Sequence, residues 1–356
     1  MKKILLLILT LAFSLTEAGA VEIPDWAKTQ IADAKTRFEA WKGDDSVVSF
    51  TVITDVHSRQ PALIEPADFS DTKMHVLFTK EIADAMNADF CADLGDIELE
   101  MVPKTPEEVE TRIQAQLTLY GQFTRPVLFA MGNHDHAKGR IVSSARYGEL
   151  FNGLAAKNGH EYHFGPDKSI GYYEIAEKKF RIYFLNTSDD GYYAYSVPQL
   201  QFVADTLKTV PEGWTVIALQ HYCMQNSIGH WKSCNTYAKF RETGIQLFEA
   251  FLAREKGGSE GVTWDFTGVK EPKMVGMFCG DSHFSHQKMF NGVNYVITQG
   301  YGGVRLDDMA DGARHVLFSR GKEMLIDFVV VKPEKREVKI FRVGAGGADY
   351  DREFTY

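Results

Sequence analysis

The chain has 356 residues, of which 39 are Lys or Arg and 48 are Asp or Glu, so its net charge is −9. Hydrophobic residues make up 44% and charged residues 24%, a globular composition that excludes a disordered or fibrous protein. An acidic chain without a basic run also lacks the electrostatic signature of nucleic-acid binding or of binding to anionic membranes.

The first twenty residues have the three parts of a secretory signal peptide. Two lysines precede the apolar run 4–13, and the small residues Ala18 and Ala20 predict cleavage after Ala20. A membrane anchor is the alternative, but about ten apolar residues are too few to span a bilayer. No cysteine follows the run, which disfavours a bacterial lipoprotein. We therefore expect a periplasmic or secreted protein with no membrane span after cleavage.

In the first half of the mature chain, predicted helices alternate with predicted strands. Apolar periodicity predicts helices over 25–41 and 71–86, and a capping box of Thr105 and Glu108 opens a third helix. β-rich runs predict strands over 47–54, 89–94 and 126–131. Each of these strands ends at a polar cluster. The alternation predicts a parallel sheet whose carboxyl edge holds a ligand site.

The second half mixes strands with two further helices. Ser196 and Gln199 predict a capping box that opens a helix to about residue 209, and the run 246–254 predicts another helix. Strands are predicted over 172–175, 180–185, 214–219, 274–278, 325–331 and 338–343. We expect an α/β protein with two sheets in one domain that spans residues 21–356.

Four cysteines remain after signal cleavage. Cys223 and Cys234 are predicted to form a disulfide in an oxidising compartment, because only a polar, loop-like segment separates them. Cys91 and Cys279 lie in apolar runs and are predicted to be small buried side chains.

Five polar clusters at strand ends carry side chains that can ligate a metal. In an extended strand, residues i and i+2 point to the same side, so an Asp-x-His pair can aim two ligand atoms at one spot. Carboxylate oxygen and imidazole nitrogen suit Mn, Fe or Zn, and seven such residues fit two ions that share a carboxylate. The seven are Asp55, His57, Asp96, Asn133, His221, Asp281 and His283.

The order of these clusters resembles the signature of the calcineurin-like metallophosphoesterases: D-x-H, GD, GNHD, a lone His and GHxH. A single Asp-x-His pair is more often a strand end without a metal, but five ordered clusters over residues 46–300 argue against coincidence. The resemblance implies two mixed β-sheets packed as a sandwich with flanking helices, a four-layer αββα fold. It also implies a metal-dependent hydrolase acting on phosphomonoesters or phosphodiesters, with a small molecule or other phosphate ester as substrate.

The resemblance also implies a role for each matched residue. In the family pattern, His134 is the residue near the leaving group, and Asp135 is its expected orienting partner. The implied chemistry is attack on phosphorus by a hydroxide held between two metals, while His134 donates a proton to the departing oxygen. The matched ligands are Asp55, His57 and His283 for the first metal, Asp96 as the bridge, and Asn133 and His221 for the second metal.

One position departs from the family signature. Asp281 stands where GHxH has a histidine ligand of the second metal. Retained as an oxygen ligand, Asp281 makes that site favour Mn, Mg or Fe over Zn; the alternative is a weakly bound second metal. A further alternative is a degenerate homologue that binds a phosphorylated or glycan ligand without turnover, although a binding protein has no need of His134. Leu99 stands where purple acid phosphatases have their tyrosine, which disfavours that subgroup.

Overall fold

The computed structural model describes residues 23, 25–57, 67–97, 105–136, 141–157, 159–189, 194–225, 240–300 and 325–356. Six α-helices lie within this part of the chain. They are α1 (Asp25–Lys42), α2 (Ala67–Ala85), α3 (Pro106–Tyr120), α4 (Ser144–Lys157), α5 (Val197–Leu207) and α6 (Arg241–Ala253). The five predicted helices are confirmed, and α4 is an addition. None of these helices combines the length and the apolar character needed to cross a membrane.

Fifteen strands lie within the same residues, and all nine predicted strands are among them. The strands are β1 (Val48–Ile53), β2 (Phe90–Asp93), β3 (Val127–Phe129), β4 (Tyr162–Phe164), β5 (Gly171–Ile175), β6 (Phe180–Phe184), β7 (Thr215–Gln220), β8 (Lys256–Ser259), β9 (Val262–Asp265), β10 (Lys273–Cys279), β11 (His286–Phe290), β12 (Val293–Ile297), β13 (Leu325–Lys332), β14 (Glu337–Gly344) and β15 (Arg352–Thr355).

These strands form two large mixed sheets and one small hairpin. The first sheet has the order β15-β14-β13-β1-β2-β3, and the second has the order β11-β12-β10-β7-β6-β5-β4. β1, β2 and β3 pair in parallel, as predicted, while β13 joins β1 antiparallel. In the second sheet, β7 pairs in parallel with both β6 and β10. The small hairpin is β8-β9.

The two sheets pack face to face around a shared apolar core. Phe50 of β1 stacks on Phe90 of β2 with ring centroids 4.6 Å apart, and the edge of Phe278 from β10 meets Phe50 at 5.1 Å. All three side chains are fully buried. Helices α1–α4 pack on the outer face of the first sheet, and α5 and α6 pack on the outer face of the second. The predicted sandwich of two mixed sheets with flanking helices is confirmed.

The two predicted capping boxes have different outcomes. Thr105 and Glu108 make both reciprocal hydrogen bonds, at 3.3 and 3.1 Å. Ser196 accepts a bond from the backbone of Gln199, but the Gln199 side chain exchanges two 2.7 Å bonds with the backbone of Asn186 instead of returning to Ser196. The predicted second box is therefore wrong in its returning half, because a buried backbone segment needs both polar atoms of that amide.

The cysteines follow their predicted environments where the structure describes them. Cys91 and Cys279 are buried, as expected for small side chains in apolar runs, and Cys223 is buried too. Cys234 lies outside the described residues, as do the signal-peptide residues and Leu99. The Cys223–Cys234 disulfide stays a prediction.

Candidate metal centre

The predicted site residues follow the carboxyl ends of strands in both sheets. β1, β2 and β3 are parallel neighbours, so Asp55, Asp96 and the cluster at 132–135 meet at one edge. β7 and β10 bring His221 and Asp281 to the matching edge of the second sheet. The Asp281 backbone N–H donates to Asp55 Oδ2 at 2.9 Å, which ties the two edges together. Parallel topology therefore gathers residues that are more than 200 positions apart.

The backbone at these strand ends is not extended. Asp55, His57, Asp96, Asp281 and His283 all have positive φ, between 47° and 62°. Residues other than glycine rarely adopt this left-handed backbone conformation, which costs of order 1 kcal/mol or more per residue. The predicted reason for convergence, side-chain alternation along an extended strand, is therefore wrong. Tight turns after the strands aim these side chains inward.

A first ligand group consists of Asp55, His57 and His283. The Nε2 atoms of His57 and His283 lie 3.7 and 3.3 Å from Asp55 Oδ1, and their rings stack with centroids 5.4 Å apart. Thr54 Oγ1 donates to Asp55 Oδ2 at 2.7 Å, while the buried Oδ1 accepts no hydrogen bond within the described chain. A cation is the partner that such an oxygen lacks, so the donor set fits a metal.

A second ligand group surrounds the imidazole of His221. Its Nε2 lies 3.2 Å from Asn133 Oδ1, 3.3 Å from Asp96 Oδ2 and 3.8 Å from Asp281 Oδ1. The other ring nitrogen, Nδ1, donates to the Leu94 carbonyl at 2.7 Å. That bond orients the ring and turns Nε2 towards the oxygens, an arrangement common in metal-binding histidines.

Asp96 lies between the two groups. Its Oδ2 is 3.3 Å from His221 Nε2 in the second group and 3.8 Å from His57 Nε2 in the first. Its Oδ1 accepts the backbone N–H of His134 at 2.9 Å. One carboxylate thus faces both ligand groups. The potential ligand atoms of Asp55, Asp96 and His221 all lie within 4.8 Å of one another.

His134 is the most accessible imidazole of the centre. Its Nε2 lies 3.8 Å from Asp96 Oδ2, its ring meets the ring of His57 edge-on at 5.2 Å, and its side chain is 30% exposed, whereas that of His221 is fully buried. Asp135 accepts three backbone N–H bonds, from Asp96, Ile97 and Gly132, at 2.8–3.0 Å. Asp135 therefore holds the turn that carries Asp96. Its predicted role in orienting the His134 ring stays a prediction.

The electrostatics of the centre combine burial with paired charges. Burial by itself would raise the pKa of Asp96, but His221, His134 and His57 outweigh it and hold that pKa well below its usual range. Burial would likewise lower the pKa of His221, yet Asp96, with smaller contributions from Asp55 and Asp281, raises it well above its usual value. A metal ion competes with this proton for Nε2.

For His57 and Asp281, desolvation is the largest cause of the pKa shift. Burial lowers the pKa of His57 to about 4, so the ring is neutral at pH 7 and has the form that binds metals. Burial raises the pKa of Asp281 to about 7, and the carboxylates of Asp55 and Asp96 add to that rise while His221 opposes it. The carboxylates of Asp55, Asp96 and Asp281 repel one another, and a cation would relieve that repulsion.

Two supporting residues escaped the sequence analysis. Thr54 directs Asp55 through its hydroxyl. Gly300 follows β12 and lies against the same aspartate, since a Cβ at this position would stand 2.3 Å from Asp55 Cβ and 2.9 Å from the Thr54 carbonyl oxygen. The glycine-rich run that begins at Gly300 was the available signal, because glycine often marks a close backbone approach.

The sequence matches the family model of calcineurin-like phosphoesterases over residues 48–248, more than half of the chain. The chain belongs to this family. Membership makes it a phosphoester hydrolase, and its Asp and His groups provide places for metal ions. The predicted family and enzyme class are confirmed.

Solved structures of the same fold are distant in sequence. A dimetal phosphatase from Danio rerio has a TM-score of 0.55 and 10% identity, covering 88% of this chain and 100% of its own. GAP50, the anchor in the inner membrane complex of Plasmodium, has a TM-score of 0.50 and 9% identity, covering 87% and 89%. At these identities the similarity is one of fold. The sequence matches no curated protein.

Proposed function

We propose that this phosphoesterase hydrolyses phosphomonoesters or phosphodiesters with two divalent metal ions held by the two ligand groups. The observation that carries the proposal is the position of Asp96, whose Oδ2 lies within 3.8 Å of imidazole nitrogens from both groups. A carboxylate in that position can ligate two neighbouring ions at once. The buried Oδ1 of Asp55, which accepts no hydrogen bond from the described residues, supports the first ion site.

Each ion has its own set of proposed ligands besides Asp96. When bound, two such ions supply positive charge to the phosphoryl oxygens and lower the pKa of water that serves as the nucleophile. The proposed ligands are Asp55, His57 and His283 for the first ion, and Asn133, His221 and Asp281 for the second.

His134 is the proposed acid for the leaving group. Its partial exposure lets a bound ester reach Nε2, while the bond from its backbone to Asp96 fixes its place beside the ligand groups. Donation of a proton from Nε2 would neutralise the departing alkoxide. Asp135 contributes by holding the Asp96 turn through its three backbone bonds.

The donor atoms indicate which metals the second site prefers. Within the described residues, Asp96, Asn133 and Asp281 offer oxygen atoms to that site, and Nε2 of His221 is the one nitrogen offered. Oxygen-rich sites favour Mn, Mg or Fe, whereas Zn prefers nitrogen and sulfur. We therefore propose that Asp281 is retained as a ligand and that Mn or Fe occupies the second site in preference to Zn.

The test combines metal content with turnover. Protein purified without chelator is analysed for metal and assayed with nitrophenyl phosphate and bis-nitrophenyl phosphate in Mn²⁺, Fe²⁺ or Zn²⁺. We expect about two ions per chain and metal-dependent turnover, with kcat reduced by about 10²–10³-fold in Asp96→Asn. The matched control is Asp205→Asn, an exposed carboxylate on α5.

Two outcomes would contradict the proposed function. Protein that takes up no metal even after reconstitution would exclude the metal centre. Metal-loaded protein that hydrolyses no phosphate ester would favour the alternative of a homologue that binds a phosphorylated or glycan ligand without turnover.

We also propose export to the periplasm or the exterior, as the N-terminal sequence predicts. The charged start, short apolar run and small residues before Val21 support this proposal. Mass spectrometry of the protein from each cell fraction provides the test. An exported chain that begins at Val21 agrees with it, and an uncleaved chain confined to the cytosol contradicts it.

A further inference from the structure

A buried ion cluster, consisting of Asp327, Arg342 and Arg352, lies beside the metal centre. Arg342 Nε donates to Asp327 Oδ1 at 2.8 Å, and Arg352 donates to Oδ2, which also accepts a 3.1 Å bond from Thr298 Oγ1. The side chains of Asp327 and Arg342 are fully buried, and that of Arg352 is 11% exposed. Both oxygens of the carboxylate are therefore satisfied by donors.

Burial of the charged groups in this cluster has a large free-energy cost of desolvation. Burial by itself would raise the pKa of Asp327, but Arg342 and Arg352 outweigh it and hold that pKa below its usual value. Desolvation of each ion costs several kcal/mol, and well-packed apolar residues are often equally stable in such places. Stability alone is thus a weak explanation for the cluster, and the other contacts of the two arginines indicate a further role.

The arginines hold the chain segment that follows His283. Arg342 Nη2 donates to Ser285 Oγ at 2.6 Å, and Arg352 Nη1 donates to the carbonyl oxygens of His286 and Ile297 at 3.0 and 2.8 Å. Both arginines belong to the first sheet, whereas the segment joins β10 to β11 in the second. The cluster therefore links the two sheets at the segment that presents His283.

This segment requires support on both sides of His283. Asp281 and His283 have left-handed backbones, with φ of 62° and 55°, and such conformations persist where the surroundings hold them. On the N-terminal side, the Asp281 N–H bonds to Asp55. On the C-terminal side, the bond from Arg342 to the buried Ser285 hydroxyl provides the corresponding tie.

We propose that Asp327, Arg342 and Ser285 form a positioning unit that sets the His283 imidazole for the first metal ion. Asp327 orients the guanidinium, the guanidinium fixes Ser285, and Ser285 fixes the backbone two residues after His283. The inference rests on the proposed function, in which His283 is a ligand. It adds three residues that lie outside the ligand groups and that act through His283.

The experiment compares two buried hydroxyls bound to the same cluster. Ser285→Ala removes the hydroxyl that ties the segment, and Thr298→Val removes one that binds Asp327 outside the segment. Arg342→Lys is the second test variant, because a single ammonium cannot reproduce the forked contacts of the guanidinium. Each metal-free, full-length protein is titrated with Mn²⁺ by calorimetry, and its thermal unfolding is measured.

We expect Ser285→Ala and Arg342→Lys to weaken one of the two Mn²⁺ binding steps by about 10–100-fold, the range for residues that orient metal ligands. The other step should be unchanged, which a general loss of stability would not produce. Thr298→Val should keep both steps while lowering the melting temperature of the metal-free protein.

The inference is overturned if Ser285→Ala binds two ions as the wild type does, or if Ser285→Ala and Thr298→Val weaken both steps equally. In either case, wild-type protein that binds two ions and hydrolyses esters leaves the proposed function intact. Wild-type protein that binds none of Mn²⁺, Fe²⁺ and Zn²⁺ overturns the proposed function and this inference together.

Discussion

The Asp281 carboxylate faces the His221 imidazole, with Oδ1 and Nε2 3.8 Å apart. Two ligand atoms that each lie about 2.0–2.2 Å from one ion are separated by roughly 3–4 Å, so this spacing suits a shared cation. Asp281 stands in the sequence where the family signature has a histidine, and its carboxylate lies within reach of an ion held by His221. This spacing supports the proposal that Asp281 is retained as a ligand, and that role stays a prediction.

Substitution of Asp281 should change how the second ion is bound. We expect Asp281→Ala to weaken the binding of one of the two ions by about tenfold or more. Even residues that only orient metal ligands contribute that much to metal affinity. Asp281→His should retain two ions but shift the preference from Mn²⁺ towards Zn²⁺, because nitrogen replaces oxygen. Elemental analysis after dialysis against equimolar Mn²⁺ and Zn²⁺ measures both effects. Two tightly bound ions in Asp281→Ala would show that this residue is not a ligand.

Substitution of His134 should lower the rate of hydrolysis by an amount that depends on the leaving group of the substrate. His134→Ala is expected to lower kcat for an alkyl phosphate by about 10²–10⁴-fold, the usual contribution of an acid catalyst. The effect on nitrophenyl phosphate should be much smaller, because nitrophenolate departs without a proton. His163→Ala on strand β4, which removes an exposed imidazole, serves as the control. Equal losses on both substrates would argue against proton donation.

An added methyl group at Gly300 should disturb the first ion site. Its Cβ would lie 2.3 Å from Asp55 Cβ, so the aspartate or the backbone must move. We expect Gly300→Ala to destabilise the protein by about 1–3 kcal/mol and to weaken metal binding. Gly268→Ala is the matched control, because nothing lies within 4 Å of its Cβ position. Denaturant unfolding and metal titration would reveal the difference, and unchanged metal binding in Gly300→Ala would contradict this role.

The buried His75 on α2 should make stability depend on pH. Burial lowers its folded-state pKa to about 4, although a 2.9 Å bond from Nε2 to the Leu325 carbonyl acts in the opposite direction. The unfolded chain binds the proton near pH 6.5, so the stabilisation is complete above that pH and is lost as pH falls towards 4. The shift corresponds to roughly 3 kcal/mol.

His75→Gln isolates this contribution from the other histidines. We expect the free energy of unfolding of the wild type, measured in chelator, to fall between pH 7 and pH 4 by roughly 3 kcal/mol more than that of the variant. Parallel stability curves for the two proteins would show that His75 does not titrate in this way.

Local sequence patterns predicted most of the secondary structure correctly. The helices and strands predicted from periodicity are present, and the parallel order of β1, β2 and β3 follows from the alternation of strands and helices. Helix α4 and the short strands β4, β8, β9, β11, β12 and β15 were not predicted. The missed strands have only three to five residues, too few to show a period, and pairing with a neighbour stabilises them.

Only the tertiary structure decided how the site is built. Gln199 looked like a capping residue, but the buried backbone of Asn186 takes its side chain. The Asp-x-His pairs meet through left-handed turns, although alternation along a strand was expected. The ion cluster around Asp327 had no sequence signal, because its partners lie on separate strands and a single charged residue in a strand does not show whether it is buried or paired.

The sequence by itself determined which chemistry the protein can perform. The order of its Asp, His, Gly and Asn clusters is enough to identify a phosphoesterase, because the ligand types and the glycines at strand ends are local properties of the chain. Tertiary structure decided which oxygen of Asp96 faces both ligand groups, why Gly300 must lack a side chain, and which arginine reaches Ser285. These relationships join residues distant in sequence, and they arise only when packing of the two sheets brings those residues within bonding distance.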